Sequence, residues 1–400
     1  MSLMLDEHRL YLSDPTRTSL FRRAINAVVK PGDVVLDLAC GTGVLGMLAM
    51  KAGAARLYQV DVTGMIQIAR DVARANGCGQ TATGIRDLSN RAQLPEMVDV
   101  VVADQMGHFG IGAGMPEIFN DARQRFLKPG GRTIPRRIEL FVTPVNFPEM
   151  WSVVSFWDKK PAGLNMAPAH VTAFNTGYPA ENSPRRMLGK PARMFAFDLT
   201  ELTPEHHHAE AEIEVSAAGV MHGLSGWFVA ELAPGINMTN SPFSKGRITR
   251  RAAFLPIEQP VVLRKGDRVK VKMGIIAAQT MLSWTVTVFN SRGEQKARFV
   301  HSTLKGMLLV PEDLAKTRPN FVPRLSDWGE ARRSTINLID GKRTVAEIEK
   351  ELFRLHGDLF PSPAKASEYV TEVLLPYGLN STHNAKPSPD MLSAPNKETR

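Results

Sequence analysis

Cysteine is scarce in this chain. Cys40 and Cys78 are the only two cysteines among 400 residues, which excludes a disulfide framework and a metal site built from several thiolates. Because reducing compartments keep such thiols free, the composition predicts a cytoplasmic protein. Three consecutive histidines at 206–208 cannot all face one side of a strand, so we expect no metal site there.

Long apolar runs are also missing. Lys, Asp or Gly interrupts every such run within about ten residues, well short of the ~20 that a membrane helix needs. The first residues, MSLMLDEHRLYL, carry acids early and lack the sustained apolar segment of a secretory signal. The sequence therefore predicts neither a membrane span nor an export signal.

Aromatic residues are few in the one clearly basic stretch, between Ser241 and Lys272. The formal net charge of the chain is +9, and this stretch carries many of its cations against Glu258 and Asp267. Nucleic-acid surfaces interleave cations with aromatic side chains that stack on bases. A solvated face of a sheet is therefore favoured over nucleic-acid binding, and a negatively charged acceptor or partner stays open.

The most informative stretch present runs from Val34 to Asp61. One apolar run passes through a glycine turn into a helical pattern, and a second apolar run ends at the acid. The glycines allow a ligand to approach the backbone, and the acid at the strand end suits ribose hydroxyls. The GTG spacing and the lack of a following Lys-Ser or Lys-Thr disfavour a dinucleotide and a triphosphate. We therefore expect a nucleoside ligand, held by Asp37, Ala39, Gly41, Gly43 and Asp61.

Strands and helices alternate through the first 145 or so residues. A helix over 65–75 precedes a buried strand at 99–103, and a helix over 116–127 precedes a PGG turn and a strand at 138–145. This order predicts an α/β domain, a doubly wound parallel sheet with its ligand at the carboxyl ends of the strands.

The pattern then changes twice. Residues 148–192 are irregular, and period-two alternation follows, which predicts an antiparallel sandwich or barrel. A third unit begins near Phe321, where Thr344 and Glu347 form a capping box before two helices. The predicted strands cover 194–199, 211–217, 220–232, 269–277, 282–289 and 297–304.

The DLACGTG turn resembles that of class I S-adenosylmethionine-dependent methyltransferases. Within that class, the first 310 or so residues resemble the protein arginine methyltransferases, through RLYLSDPTRTSLFRRAI, KAGAARLYQVD, MGHFG, RFLKPGGRTIP and VMHGLSGWFVAEL. The resemblance implies a Rossmann-like cofactor domain over 1–147, a projecting dimerisation arm over 148–192 and a β-barrel over 193–310. It also implies a homodimer.

The resemblance further implies how the cofactor S-adenosylmethionine is bound. Arg17 would contact the methionine carboxylate, Asp61 the ribose and Asp87 the adenine amine. His8 and Tyr11 would line the methionine end. A planar guanidinium suits a carboxylate, although spacing alone leaves a surface role for Arg17 open.

The acceptor site departs from the family. Arginine methylation there uses two glutamates that grip the guanidinium; here the two positions are Asp104 and Ala113. Glu117, one helical turn further, either reaches in or faces solvent. The family's His-Trp motif is replaced near Ile248 and Thr249. Since a guanidinium stays protonated, the loss of its clamp disfavours arginine as the acceptor.

His108 stands in the substrate loop where the family pattern has tyrosine. A histidine beside a carboxylate can take a proton near neutral pH, so Asp104 and His108 are the candidate catalytic pair for an amine or hydroxyl acceptor. An ordinary loop histidine is the alternative.

The segment 321–379, especially INLIDGKRTVAEI, resembles the PqqD-type winged-helix domains that hold precursor peptides. Such domains add a peptide as a strand at a sheet edge. A generic helical appendage is the alternative, and 380–400 is predicted to be a disordered tail.

Three functional hypotheses follow. The first is a methyltransferase acting on a peptide, protein or small metabolite; the second is a non-catalytic scaffold that retains the fold. The third keeps arginine methylation through Asp104 and Glu117.

Overall fold

The computed structural model describes residues 3–378, which form two compact units that divide after Leu308. The predicted disordered tail at 380–400 lies outside these residues. Within them, no helix combines the length and the apolar character that a membrane crossing requires.

A five-stranded parallel sheet occupies the first part of the first unit, with strand order β3-β2-β1-β4-β5. Its strands are β1 Val34–Leu38, β2 Arg56–Val60, β3 Ala82–Ile85, β4 Val98–Ala103 and β5 Leu127–Ile134. Its helices are α1 Leu3–Leu12, α2 Pro15–Val28, α3 Val44–Lys51, α4 Met65–Ala75 and α5 Met115–Arg125. The central strands are buried because helices cover the sheet, as their continuous apolar runs predict.

The strand order places a ligand crevice between β1 and β4. From β1 the chain proceeds to β2 on one side, whereas β4 pairs with β1 on the other side. Loops that leave the carboxyl ends of such neighbouring strands diverge, and the space between them binds ligands in open α/β sheets. Asp37, Asp61 and Asp104 all lie at or just beyond these ends.

The change from parallel to antiparallel sheet comes earlier than predicted. The strand predicted at 138–145 within the parallel sheet is β6 Arg137–Val145, and it pairs antiparallel with two later strands. The PGG sequence predicted as a turn lies inside the edge strand β5, beside a register shift. An edge strand tolerates proline because one side of it makes no ladder hydrogen bonds.

The remaining strands of the first unit form two antiparallel sheets. One has the order β7-β12-β10-β6-β8, with β11 pairing β10, and the other has the order β15-β14-β13-β9. These strands are β7 Tyr178–Ala180, β8 Ala192–Asp198, β9 His206–Glu214, β10 Gly219–Ala233, β11 Ile236–Thr239, β12 Ala252–Leu263, β13 Arg268–Ile276, β14 Met281–Phe289 and β15 Gln295–Ser302. The antiparallel β-domain is thus confirmed, whereas the strands β7, β11 and β12 were missed.

The end of the basic stretch, on β13, lies on a sheet face where acids neutralise it. Arg268 contacts Glu212 at 3.0 Å, and Lys272 contacts Glu210 at 2.8 Å across the β9–β13 pair. Paired charges of this kind favour the solvated-face interpretation over a nucleic-acid surface.

The segment predicted as a projecting arm contains two helices, α6 Pro148–Val154 and α7 His170–Phe174. They share a core with the neighbouring sheet, in which Phe147 and Phe254 pack edge to face at 5.8 Å. The first unit ends with the short helix α8 Thr303–Gly306.

The regular elements of the second unit are all helices in the part that the structure describes. Its helices are α9 Pro311–Lys316, α10 Asp327–Leu338, α11 Val345–His356 and α12 Pro363–Tyr377. The predicted capping box of Thr344 and Glu347 begins α11. No strand occurs between 309 and 378, so the part of this unit that the structure describes offers no sheet edge for a peptide.

Candidate active site

Three adjoining cavities lie along the carboxyl ends of the parallel strands. The His108 cavity has a volume of about 450 Å³, the Asp37 cavity about 50 Å³ and the Asp87 cavity about 410 Å³. Tyr11 and Arg17 line both the first and the second, and Ala39 lines both the second and the third. The row therefore suits an elongated ligand with a second molecule at one end.

The glycine turn forms one wall of the Asp37 cavity. Gly41 and Gly43 have positive φ values of 54° and 77°, and Ala39 has 50°. A side chain on Gly43 would come within 2.2 Å of Gln59 Nε2, and one on Gly41 within 2.2 Å of the His8 ring. Both glycines are thus needed for the left-handed backbone and for the close approach.

Asp37 carries an unsatisfied oxygen. Its Oδ2 accepts a hydrogen bond from the Gly46 amide at 2.8 Å, whereas its buried Oδ1 has no partner among residues 3–378. Burial raises the pKa of Asp37 to about 7 against that hydrogen bond, and the charge of Asp61 adds to the rise. A buried carboxylate oxygen without a partner fits a ligand that brings a cation, such as an amino acid ammonium group.

The two acids predicted for the nucleoside lie at the next strand ends. Asp61 follows β2, accepts the Gly41 amide at 2.9 Å on Oδ2 and holds Thr63 through Oδ1. Asp87 follows β3, lines the Asp87 cavity and pairs with Arg91 at 3.4 Å. Thr63 uses both lone pairs of Asp61 Oδ1, through its amide and its hydroxyl, but Asp61 Oδ2 keeps one lone pair beside the Gly41 amide. The contacts of Asp87 with Leu88 and Arg91 are made by its Oδ1, so both acids retain acceptor capacity on Oδ2.

Asp104 binds two arginines of its own chain. Its Oδ2 accepts from Arg17 Nε at 2.6 Å, and Arg250 grips both oxygens, at 3.0 Å and 2.9 Å. The Asp104 side chain is only 4 % exposed, and each arginine side chain 7 %. Burial alone would raise the pKa of Asp104, but the charges of Arg250 and Arg17 outweigh burial and hold this pKa far below its usual range. Asp104 is therefore an ionised, fully engaged carboxylate.

Tyr11 separates the His108 and Asp37 cavities. The guanidinium carbons of Arg250 and Arg17 lie 5.2 Å and 5.5 Å from its ring centre, and its hydroxyl donates to Glu7 at 2.7 Å. Burial, with that hydrogen bond, raises the pKa of Tyr11 to about 12 against the charge of Arg250. The phenol stays protonated at neutral pH. The predicted neighbour His8 lines the Asp37 cavity.

His108 is oriented by the β11–β12 loop. Its Nδ1 lies 3.0 Å from the Arg251 carbonyl oxygen, so Nδ1 carries the proton and Nε2 is left with a lone pair in the neutral ring. The Asn240 side-chain amide donates to the same carbonyl at 2.9 Å and to the His108 carbonyl at 2.8 Å. Asp104 binds the two arginines, and His108 binds the Arg251 carbonyl. The prediction that Asp104 and His108 pair with each other is therefore corrected.

Glu117 lines the Asp87 cavity and not the His108 cavity. It is half-buried near the start of α5 and lies beside Asp87 in that lining. The hypothesis that Glu117 replaces the missing second glutamate in the acceptor site stays a prediction.

Sequence reasoning assigned no role in the site to three residues that organise it: Asp14, Asn240 and Arg250. Asp14 caps α2 with one oxygen and accepts from the Thr249 amide at 2.7 Å with the other. The available signal was the Ile-Thr-Arg-Arg sequence at 248–251, where the resembled family has His-Trp. Arg250 binds Asp104, which lies 146 residues earlier in the chain, and no local sequence pattern reveals so distant a partner.

Two families match the chain in succession. Residues 14–134 match the family described as ribosomal protein L11 methyltransferase (PrmA), and residues 137–310 match the family described as PRMT5 oligomerisation domain. The junction between the matches coincides with the change of sheet between β5 and β6.

Curated relatives of the chain are arginine methyltransferases by name. Protein arginine N-methyltransferase 6 of Xenopus laevis is 29% identical over 253 residues, 60% of this chain and 74% of that protein. Protein arginine N-methyltransferase 1 of Dictyostelium discoideum is 27% identical over 282 residues, 68% of this chain and 80% of that protein.

Solved structures of such proteins share the fold. Arabidopsis thaliana protein arginine methyltransferase 10 superposes with a TM-score of 0.64 at 19% identity, covering 75% of this chain and 98% of that one. The Trypanosoma brucei PRMT1 enzyme-prozyme complex with AdoHcy gives 0.65 at 24% identity, covering 74% and 96%.

The chain is a class I S-adenosylmethionine-dependent methyltransferase with a parallel cofactor sheet followed by a β-barrel. The Asp37 oxygen that has no partner among residues 3–378 fits this cofactor, and so does the glycine turn. The scaffold hypothesis is left without support. The PqqD-type likeness of the second unit stays a prediction.

Proposed function

We propose that this methyltransferase transfers its methyl group to a proton-bearing nucleophile on a peptide, protein or small molecule that enters the His108 cavity. One observation carries the proposal: Asp104 is already neutralised by Arg17 and Arg250, while His108 lines the large cavity beside them. The acceptor site thus lacks a free carboxylate at Asp104 but offers the imidazole of His108.

The cofactor lies along the Asp37 and Asp87 cavities in this proposal, and when bound it supplies an electrophilic methyl group. Arg17 faces its carboxylate, Asp37 its ammonium group, Asp61 the ribose and Asp87 the adenine amine. The Asp37 oxygen without a partner in the described part of the chain supports these roles, as do the strand-end positions of the other two acids. The remaining residues proposed to contact it are His8, Tyr11, Ala39, Gly41 and Gly43.

The protein's own tasks are then positioning and proton removal. His108 Nε2 accepts the acceptor's proton, because Nδ1 is committed to the Arg251 carbonyl. Asn240 fixes both partners of that hydrogen bond from a site that is only 2 % exposed. Asp104 holds the two arginines that close the wall between cofactor and acceptor.

Methyl transfer from labelled S-adenosylmethionine to a panel of peptides, amines, phenols, imidazoles and carboxylic acids tests the proposal, with products identified by mass spectrometry. For the best acceptor, His108→Gln should lower kcat by about 10² or more, the usual range for losing a positioned base. His206→Gln, on an exposed barrel strand, is the matched control. Equal kcat values for wild type and His108→Gln would remove His108 from the mechanism.

Arginine methylation is the second candidate. The names of the curated relatives favour it, and Asp104 already binds one guanidinium in a bidentate manner. Arginine methylation would require Arg250 to leave Asp104. The site would also lack the second carboxylate of the resembled family, because Ala113 stands at that position. Methylarginine in arginine-rich peptides, detected by mass spectrometry, would establish this candidate over the first.

Homodimerisation through residues 148–192 is part of the proposal. The match of residues 137–310 to a family described as an oligomerisation domain supports it. Light scattering on the full chain should give twice the mass of one 44.1 kDa chain. A monomer at micromolar concentration would oppose it.

A further inference from the structure

Arg250 forms a two-point ion pair with the Asp104 carboxylate. Its guanidinium lies in parallel against the Asp104 carboxylate, with Nη1–Oδ1 at 3.0 Å and Nη2–Oδ2 at 2.9 Å. This two-point geometry is the one by which a carboxylate recognises a guanidinium. The protein therefore already contains a guanidinium in the subsite of Asp104.

The ion pair also lies at the boundary between two cavities. Asp104 lines the Asp37 cavity, whereas Arg250 lines the His108 cavity. A ligand in the His108 cavity consequently meets the arginine before the carboxylate. The stacking of Arg250 on the Tyr11 ring at 5.2 Å narrows this boundary further.

The backbone on both sides of Arg250 is fixed. Thr249 donates its amide to Asp14 at 2.7 Å and its hydroxyl to the same oxygen at 2.9 Å. On the other side, the Arg251 carbonyl accepts from Asn240 at 2.9 Å. The loop thus presents Arg250 to Asp104 from two anchored neighbours, as a built feature of the site.

We propose that Arg250 is a specificity-determining residue that fills the guanidinium subsite of Asp104 and so excludes arginine and other planar cations as acceptors. This inference rests on the first function proposed above and names the chemistry that the site rejects. Acceptors that reach the cofactor carry no positive charge at the reacting end, because Arg250 and the neighbouring Arg251 repel cations.

Binding of methylguanidinium tests the inference without any methyl transfer. Arg250→Ala leaves Asp104 with one free edge, so methylguanidinium and the peptide acetyl-Gly-Arg-Gly-amide should bind it about tenfold or more tighter than they bind wild type, by calorimetry. Arg250→Met keeps an unbranched stem and guards against loss of folding. The Arg250→Met variant should also bind both ligands more tightly than wild type does, but by a smaller factor.

Two controls separate a subsite from a general charge effect. Arg251→Ala removes a neighbouring exposed cation but leaves Asp104 paired, so it should gain no methylguanidinium binding. The double variant Arg250→Ala with Asp104→Asn should lose any gain. Thermal unfolding of each variant with and without methylguanidinium gives an independent reading, since only an open subsite is stabilised by the ligand.

Equal binding to wild type and to both Arg250 variants would overturn the inference, as would an equal gain in Arg251→Ala. Failure to find any methyl acceptor would count against the proposed function but would leave these binding results interpretable. A wild-type protein that binds the arginyl peptide tightly and methylates it would overturn both.

Discussion

Cofactor affinity should depend on the ionisation of Asp37. Burial raises the pKa of this carboxyl to about 7, and its Oδ1 lacks a partner among the described residues. If a cofactor cation pairs with that oxygen, only the ionised form binds well, so affinity follows the ionised fraction. That fraction falls from about nine-tenths at about pH 8 to about one-tenth at about pH 6, which weakens binding about tenfold.

Calorimetry with S-adenosylmethionine at several pH values measures this slope. Asp37→Asn cannot ionise, so its affinity should be nearly independent of pH and close to that of wild type at the acidic end. Titration of the cofactor itself is common to both proteins and cancels in the comparison. The reasoning fails if wild type shows no slope, or if the asparagine variant retains the full slope.

Three further perturbations follow from the described contacts. Asp104→Ala leaves two buried arginines without their carboxylate and should lower the free energy of unfolding, measured with urea, by about 3–5 kcal/mol. A loss below about 1 kcal/mol would show that these ion pairs are not buried in solution. His301 is 1 % exposed, and burial lowers its pKa from 6.5 to about 4. As the pH falls from 6.5 to about 4, the unfolded chain binds a proton before the folded chain does, so the free energy of unfolding should fall by about 3 kcal/mol. His301→Phe should flatten that pH dependence, whereas His206→Phe should not. Gly43→Ala places a methyl group 2.2 Å from Gln59 Nε2 at a position with left-handed backbone. It should lower the melting temperature, measured by thermal shift, and abolish cofactor binding, measured by calorimetry. Normal binding would show that the glycine turn adapts to the methyl group.

Local signals in the sequence were sufficient for the cofactor half of the molecule. The apolar runs, the glycine turn and the strand-end acids each span fewer than about ten residues, so periodicity and turn chemistry locate them. Two of the failures involve proline within a strand. Pro129 lies in the edge strand β5, where the PGG sequence was interpreted as a turn, and the missed strand β12 contains Pro256 and Pro260.

The residues of the acceptor half contact partners that are distant in sequence, so local patterns did not predict their arrangement. His108 was found because it replaces a family tyrosine, but its partner Arg251 is 143 residues away. The pairing of Asp104 with Arg250 was likewise invisible, since a carboxylate in a loop can face solvent, metal or substrate as well as arginine. Only the folded chain decides among these partners.

The double use of Asp14 limits how this protein can be divided. One oxygen begins α2 and the other holds Thr249, 235 residues later in the chain. Phe109 similarly packs so closely on Gly226 that a side chain there would lie 2.6 Å from its ring. A truncated protein ending after β5 would keep the nucleoside pocket yet lose the wall that screens acceptors. Engineers who seek a minimal catalyst should therefore retain the barrel.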